Sequence, residues 1–278
     1  MLVTLNDVLK DAQEKHYAVG LFNTMNYEMT RAVLETAEQC NSPVIIGTAE
    51  SLLEHCSLED AAAMMRSMAE RCRVPVVLHY DHGMTWNKVT EALNLGFSSV
   101  MYDCSRLPYE ENVEQCRRMT DIAHAFGASI EAELGHVGTG APEKQDQSIY
   151  TDAEDARRFA EATGVDALAV AIGTAHGVYH ETPRLDIGRL DEIRSVVETP
   201  LVLHGGSGLS DQDFRNCVEH GIAKINIFTD LNQAGCRGAA KASAAGGSSL
   251  FEVLPAMRQE IKETVLRKME LFGSVNRA

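Results

Sequence analysis

Short runs rich in Val, Ile and Ala recur along the chain, separated by longer stretches of mixed polarity. The runs are YAVGLF (17–22), PVIIG (43–47), PVVLHY (75–80), SSVMYD (98–103), ASIEAE (128–133), DALAVAI (166–172), PLVLH (200–204) and IAKINI (222–227). Between them, YEMTRAVLETAEQC (27–40), LEDAAAMMRSMAERC (58–72) and EENVEQCRRMTDIAHAF (110–126) repeat apolar residues at helical spacing. DAEDARRFAEATG (152–164) and SDQDFRNCVEHG (210–221) carry helix punctuation, an Asp or Ser opening and a Gly closing. Near-continuous apolar strands alternating with helices predict parallel strands buried on both faces.

Eight such units close most economically into an α/β barrel, the TIM (β/α)8 architecture, which typically needs about 250 residues. A doubly wound open sheet is the alternative, but its glycine-rich fingerprint after the first strand is missing. SLFEVLPAMRQEIKETVLRKMELFG, after residue 248, predicts an additional C-terminal helix beyond the eight units. With no linker or composition shift, one domain is expected over residues 1–278. GHVGTGAPEKQDQSIYT (135–151) is the one long irregular segment, and on a barrel rim it is expected to act as a lid.

Composition narrows the partners. A formal net charge of −15 excludes nucleic acid and an anionic membrane surface as partners, since both need clustered Lys and Arg. It leaves a phosphorylated substrate open, because anion sites are built locally from backbone N–H groups. The 7 cysteines include no CxxC pair, as expected of reduced thiols in a cytoplasmic protein. MLVTLNDVLKDAQEKHY shows no basic segment followed by an apolar run, so no secretory leader is expected, and no apolar stretch approaches a membrane span.

The polar residues cluster at one end of the strands. His79-Tyr80-Asp81-His82-Gly83, Glu131-Ala132-Glu133, Gly173-Thr174-Ala175-His176-Gly177, His204-Gly205-Gly206-Ser207-Gly208 and Asn226-Ile227-Phe228-Thr229-Asp230 all sit at C-terminal strand ends. In a barrel these ends meet on the rim that carries the chemistry. A single histidine there would most simply bond a loop backbone. Three, His82, His176 and His204, each followed by glycine, match the protein half of a catalytic zinc site. His79 is expected in the core, and His136 and His180 in rim loops. The GGSG turn at 205–208 opens a helix near Ser210 and, beside Asn226 and Thr229, occupies the usual phosphate place of a barrel. Asp81 either transfers protons or orients a neighbouring imidazole. Glu131 and Glu133 share one strand face, and Glu133, nearer the rim, is a further or alternative metal ligand.

These residues resemble the class II fructose-bisphosphate/tagatose-bisphosphate aldolase family over nearly the whole chain, most of all its shorter, tagatose-type branch. The motifs are FNTMNYE (22–28), SPVIIGT (42–48), VLHYDHG (77–83), SVMYDCSRLPYEEN (99–112), SIEAELG (129–135), ALAVAIGTAHGVY (167–179), LVLHGGSGLS (201–210) and KINIFTD (224–230). The resemblance implies a metal-dependent aldolase that reversibly cleaves a ketose 1-phosphate or ketose 1,6-bisphosphate to dihydroxyacetone phosphate and an aldehyde. It implies Zn²⁺ on His82, His176 and His204, a monovalent cation as a further ion, and Asp81 as proton donor at the C4 oxygen. Gly177, Gly205, Gly206, Ser207, Asn226, Ile227, Phe228 and Thr229 would bind the donor phosphate half, with Asn226 also catalytic. A homodimer or homotetramer is expected.

Two positions depart from the family pattern. The acidic residue that exchanges the donor proton usually follows the EAELG strand in a GG-x-E-D sequence, whereas 138–143 reads GTGAPE and leaves Glu143 for that role. The usual Ser-His after the fourth strand is Ser105-Arg106, which places a cation near the rim for a charged distal group and opens the alternative of an acidic ketose 1-phosphate. Arg258 is a candidate for a second phosphate. Lys224, a Schiff-base candidate, is set against the three-histidine set, which supports the metal route better. A zinc hydrolase would favour a His-x-His pair on the first strand, absent from YAVGLFN, and a non-catalytic sugar-phosphate-binding subunit would not need Asp81 and all three histidines.

Overall fold

A computed structural model describes residues 1–135, 137, 150–177, 179 and 183–278. Eight parallel strands form a closed barrel: β2 (Val19–Asn23), β3 (Val44–Ala49), β4 (Val76–Gly83), β5 (Ser99–Tyr102), β6 (Ser129–Leu134), β7 (Ala167–Val170), β8 (Leu201–Leu203) and β9 (Ile222–Ile227). Neighbours pair in sequence order, and the β2–β9 pairing closes the ring. Each strand sits at one of the eight apolar runs, because parallel strands covered on both faces have no place for the alternation of a half-wet sheet. β4 runs past Tyr80 to Gly83, its register shifting between them, where Gly83 pairs with Tyr102.

Helices alternate with the strands: α2 (Tyr27–Gln39), α3 (Leu58–Arg71), α4 (Trp86–Asn94), α5 (Tyr109–Ala125), α6 (Ala153–Thr163), α7 (Ile187–Val196), α8 (Asp211–Glu219) and α9 (Thr229–Ala244). The two start–stop signals work as local chemistry predicts. Asp152 accepts from the amides of Glu154 and Asp155 to open α6, and Gly164 closes it at φ 66°. Ser210 opens α8 in a capping box with Asp213. The additional C-terminal helix, α10 (Leu250–Phe272), lies against α9 and α2, tied to α2 by the ion pairs Arg258–Glu28 and Lys262–Glu35.

The N-terminus adds what periodicity alone did not announce. β1 (Leu2–Val3) pairs with β4 at Val76 and Val77, and α1 (Leu5–Glu14) buries Leu5, Val8, Leu9 and Ala12 against Val19, Leu21, Ile45, Val77, Ala167 and Val202. That helix plugs the N-terminal end of the barrel with apolar side chains and leaves the C-terminal end for polar ones. A two-residue strand has no sequence signature, since only its partner edge makes it a strand. Among the described residues, no helix is long and apolar enough to cross a membrane.

Candidate metal centre and substrate cavity

The three imidazoles meet. His82, next to last in β4, has a left-handed backbone conformation (φ 45°), which is costly for a non-glycine residue and turns its side chain out of the strand's regular alternation. His176 follows β7 and His204 follows β8. His82 Nε2 lies 3.1 Å from His176 Nε2 and 2.9 Å from His204 Nδ1. Ligand nitrogens about 2.0–2.1 Å from a tetrahedral zinc stand about 3.3 Å apart, so the spacing suits a shared cation. The far nitrogen of each ring is also held: His82 Nδ1 by Asp103 Oδ2 at 2.8 Å, His204 Nε2 by Glu131 Oε1 at 2.7 Å, and His176 Nδ1 by the Val137 carbonyl at 3.2 Å. Fixing the outer nitrogen of a ligating histidine sets its tautomer and aims the inner lone pair. Gly205, after His204, has φ 66°, and a Cβ there would lie 2.4 Å from the Ala175 carbonyl oxygen, so only glycine lets the two histidine-bearing turns approach.

Carboxylates press on the imidazoles from several sides. Burial presses the His82 imidazole down, but Asp81, Asp103 and Glu133 outweigh it and raise its pKa to about 9. Burial, then the neighbouring His82 and His204, pushes His176 down to about 3. Burial also raises the Glu133 carboxyl, helped by Asp103. Glu133 Oε1 accepts from the Val137 amide at 3.0 Å, and its Oε2 stands 3.6 Å from His204 Nδ1, within reach of the same centre.

Asp81 is held in an amide clamp. Its Oδ2 accepts from Asn23 Nδ2 at 2.6 Å and its Oδ1 from Asn226 Nδ2 at 3.1 Å. Although burial opposes ionisation, His82, His204 and Lys224 together hold the Asp81 carboxyl well below the usual carboxylate range. Beneath it, His79 is fully buried with Nδ1 bonded to Ser99 Oγ at 2.7 Å, as a core histidine should be. Lys224 is also fully buried, with Nζ 2.8 Å from Glu131 Oε2, and it does not line the cavity. A Schiff-base role is closed to it in this arrangement.

A cavity of about 640 Å³ opens on this centre. It is lined by Asn23, Asp81, His82 and His176, by Gly177 and Gly205 to Ser207, and by Asn226, Ile227, Phe228 and Thr229, so the residues read as a phosphate site do share one wall system. His204 itself is fully buried. Ser207 Oγ accepts from the amides of Phe228 and Asp230, which joins the glycine-rich turn to the N-terminus of α9 and leaves the hydroxyl hydrogen to donate. Tyr179 Oη accepts from the Ala175 amide and donates to the Gly205 carbonyl, bridging the turns after β7 and β8. Arg106 also lines the cavity, exposed, and makes no hydrogen bond or ion pair with any described residue.

Some expectations land elsewhere. Arg258 lies in α10 and bonds Glu28 Oε2 at 2.6 Å, so it is spent on packing α10 to α2 and does not line the cavity. Glu143, His136, His180 and most of the expected lid fall outside the described residues. Asn23 and Asp103 were not singled out from the sequence. Both sit at C-terminal strand ends, Asn23 closing β2 and Asp103 just after β5, so the rim rule that found the histidines would have found them too.

The family described as fructose-bisphosphate aldolase class-II matches residues 3–277. The chain is 41% identical to an uncharacterized protein YdjI of Escherichia coli, over the full length of both. It is 39% identical to a probable fructose-bisphosphate aldolase of Bacillus subtilis, covering all of this chain and 99% of that one. Among solved structures, the YdjI aldolase of Escherichia coli superimposes with a TM-score of 0.91 at 39% identity and full coverage of both chains. A putative fructose-1,6-bisphosphate aldolase from Coccidioides immitis superimposes with a TM-score of 0.88 at 27% identity, over 98% of this chain and 96% of that one.

Proposed function

Since the chain belongs to the class II fructose-bisphosphate aldolase family, we propose that it is a zinc-dependent aldolase acting as one barrel domain. Its reaction is the reversible cleavage of a ketose 1-phosphate or ketose 1,6-bisphosphate to dihydroxyacetone phosphate and an aldehyde. The family implies a divalent metal and a sugar-phosphate substrate. The observation that carries the zinc reading is the convergence of three imidazole nitrogens whose outer ring nitrogens are all bonded. His82, His176 and His204 would hold the ion, with Glu133 as the further ligand. When bound, it supplies positive charge against the negative charge that cleavage builds on the donor oxygens.

The chain's own residues handle the protons and the phosphate. In cleavage, the C4 hydroxyl proton passes to Asp81, the O–H electron pair becomes the aldehyde C=O, and the C3–C4 pair stays with the three-carbon donor. Asn23 and Asn226 hold the Asp81 carboxylate aimed for that transfer. Glu143 is proposed to return a proton to the donor carbon. The phosphate is received by Ser207 and the backbone of Gly177, Gly205, Gly206 and residues 226–229.

Removal of the metal tests this directly. Dihydroxyacetone phosphate release should vanish with EDTA and return with Zn²⁺; cleavage that persists in metal-free protein, or that borohydride traps on a lysine, would sink the reading. A monovalent cation, placement in the tagatose-type branch, a homodimer or homotetramer and a cytoplasmic location are carried by the resemblance, and light scattering checks the oligomer.

A second reading concerns the other half of the substrate. With its guanidinium exposed at the cavity and unpaired among the described residues, Arg106 favours an aldehyde with a distal anionic group, as in an acidic ketose 1-phosphate.

A further inference from the structure

Directly under the site, the barrel interior holds a lysine that the mechanism above does not use. Lys224 is 0% exposed, and among the described residues both of its polar contacts are to side chains of the barrel interior. Its Nζ is 2.8 Å from Glu131 Oε2 and 2.7 Å from Asn226 Oδ1. Lys224 and Asn226 are two residues apart on β9, so the strand's period of two carries both side chains to the same face.

We propose that Lys224 is a positioning residue that sets the orientation of the Asn226 amide, so that Asn226 presents N–H rather than C=O to Asp81 and the cavity. The proposal rests on the reading of Asp81 as the proton-transfer group. Its physical basis is the polarity of the groups. A side-chain amide is nearly symmetric in shape, and its two ends differ only in what they hydrogen-bond. An ammonium is a donor with no acceptor capacity, so it accepts only the oxygen end as its neighbour. With Oδ1 taken by Lys224, Nδ2 faces Asp81 Oδ1 at 3.1 Å. Rotating the amide would set its hydrogens against the ammonium and its oxygen against the Asp81 carboxylate, two repulsive contacts in a buried site.

Glu131 gives the ammonium a fixed seat. The Glu131 carboxylate lies between Lys224 and His204, 2.7 Å from His204 Nε2, and is itself 0% exposed. Lys224 therefore cannot swing away without leaving the buried Glu131 Oε2 without its cation. On the other side, Asn23 completes the clamp on Asp81 Oδ2, so of the two clamp hydrogen bonds only the Asn226 one depends on the lysine. The device is a buried cation that never meets substrate yet decides which end of the substrate-facing amide does.

Two measurements on the zinc-loaded full chain test it. The Nδ2 proton resonances of Asn226, identified by their loss in Asn226→Ala, should exchange slowly in the wild type and be lost or averaged in Lys224→Met. In the same variant, kcat for cleavage should fall by about a hundredfold, the cost of a misplaced catalytic contact, with a much smaller change in KM. Because the lysine acts mainly through Asn226, adding Lys224→Met to Asn226→Ala should cost far less than Lys224→Met alone, the remainder being its direct charge effect on Asp81. Retained Asn226 resonances in Lys224→Met, or losses that multiply in the double variant, overturn the proposal. Should Lys224→Met fail to fold because Glu131 is stranded, Lys224→Met/Glu131→Gln removes both charges and is read against Glu131→Gln by the same criteria. A wild type that shows the protected amide but no cleavage would sink the aldolase reading and leave the orientation of Asn226 standing.

Discussion

The two ends of the barrel interior use the same strands for opposite purposes. At the N-terminal end, Val19, Leu21, Ile45, Val77 and Val202 pack against Leu5 and Leu9 of α1 in a wholly apolar cluster. A step of two residues along the same strands reaches Asn23, His79 and His204, and a further step on β4 reaches Asp81. Asn23, His79, Asp81 and His204 are nearly as buried as the apolar cluster, so burial does not distinguish the two ends. Pairing does. The apolar end is stabilised by area removed from water, about 25 cal/mol per Å². The polar end avoids the cost of buried charge only through mutual bonds: Lys224 with Glu131, Glu131 with His204, Asp103 with His82, and two amides on Asp81. One end should therefore answer mutation in stability and the other in metal affinity and turnover.

Asp81→Ala is the strongest test of that division. Turnover should drop about 10²–10⁴-fold, the usual worth of a positioned proton-transfer group, while zinc stays near about one per chain. Zinc loss in this variant would reassign Asp81 to supporting the metal. Next, Asp103→Asn removes the carboxylate that fixes His82 Nδ1 and should weaken zinc binding about 10–100-fold in competition with a chromophoric chelator. Unchanged affinity there would detach the outer partners from the metal's job.

Arg106→Ala addresses a smaller energy, since the side chain is exposed. It should lower kcat/KM for phosphorylated or carboxylated aldehydes by about tenfold, the worth of one hydrogen bond to a charged group, with a smaller loss for neutral aldehydes. Equal losses across all aldehydes would remove Arg106 from the reading of the distal end. Leu21→Ala, at the apolar end, should show the least effect on turnover of folded protein and a loss of about 2–5 kcal/mol of stability in denaturant titration. A turnover defect without a stability defect would erase the contrast between the two ends.

The residues that were legible in advance share one property: their signal is local. Eight apolar runs announced eight strands, because a strand covered on both faces leaves its mark in consecutive residues. His82, His176 and His204 stood out because each closes or closely follows such a run and is followed by a glycine, and Gly205 shows why that glycine is needed. Shape also placed the turn at 205–208 beside residues 226–229 once a barrel was assumed. Arg258 shows the limit of that reasoning: a cation on a helix face looks equally ready for phosphate or for Glu28 until the packing of α10 chooses.

From the sequence alone came the barrel, its direction, and the side chains that chemistry requires at its rim. Which atoms face which was decided by the tertiary structure. His82 meets partners 94 and 122 residues away, and Asp81 meets an amide 145 residues away. No periodicity spans such distances, because periodicity reports only whether a position is covered. Closure of the ring brings the strand ends within hydrogen-bond reach. There, donor and acceptor geometry settles that Asp103 and Glu131 hold the imidazoles, and that Lys224, a Schiff-base candidate in the sequence, bonds the Asn226 amide oxygen instead.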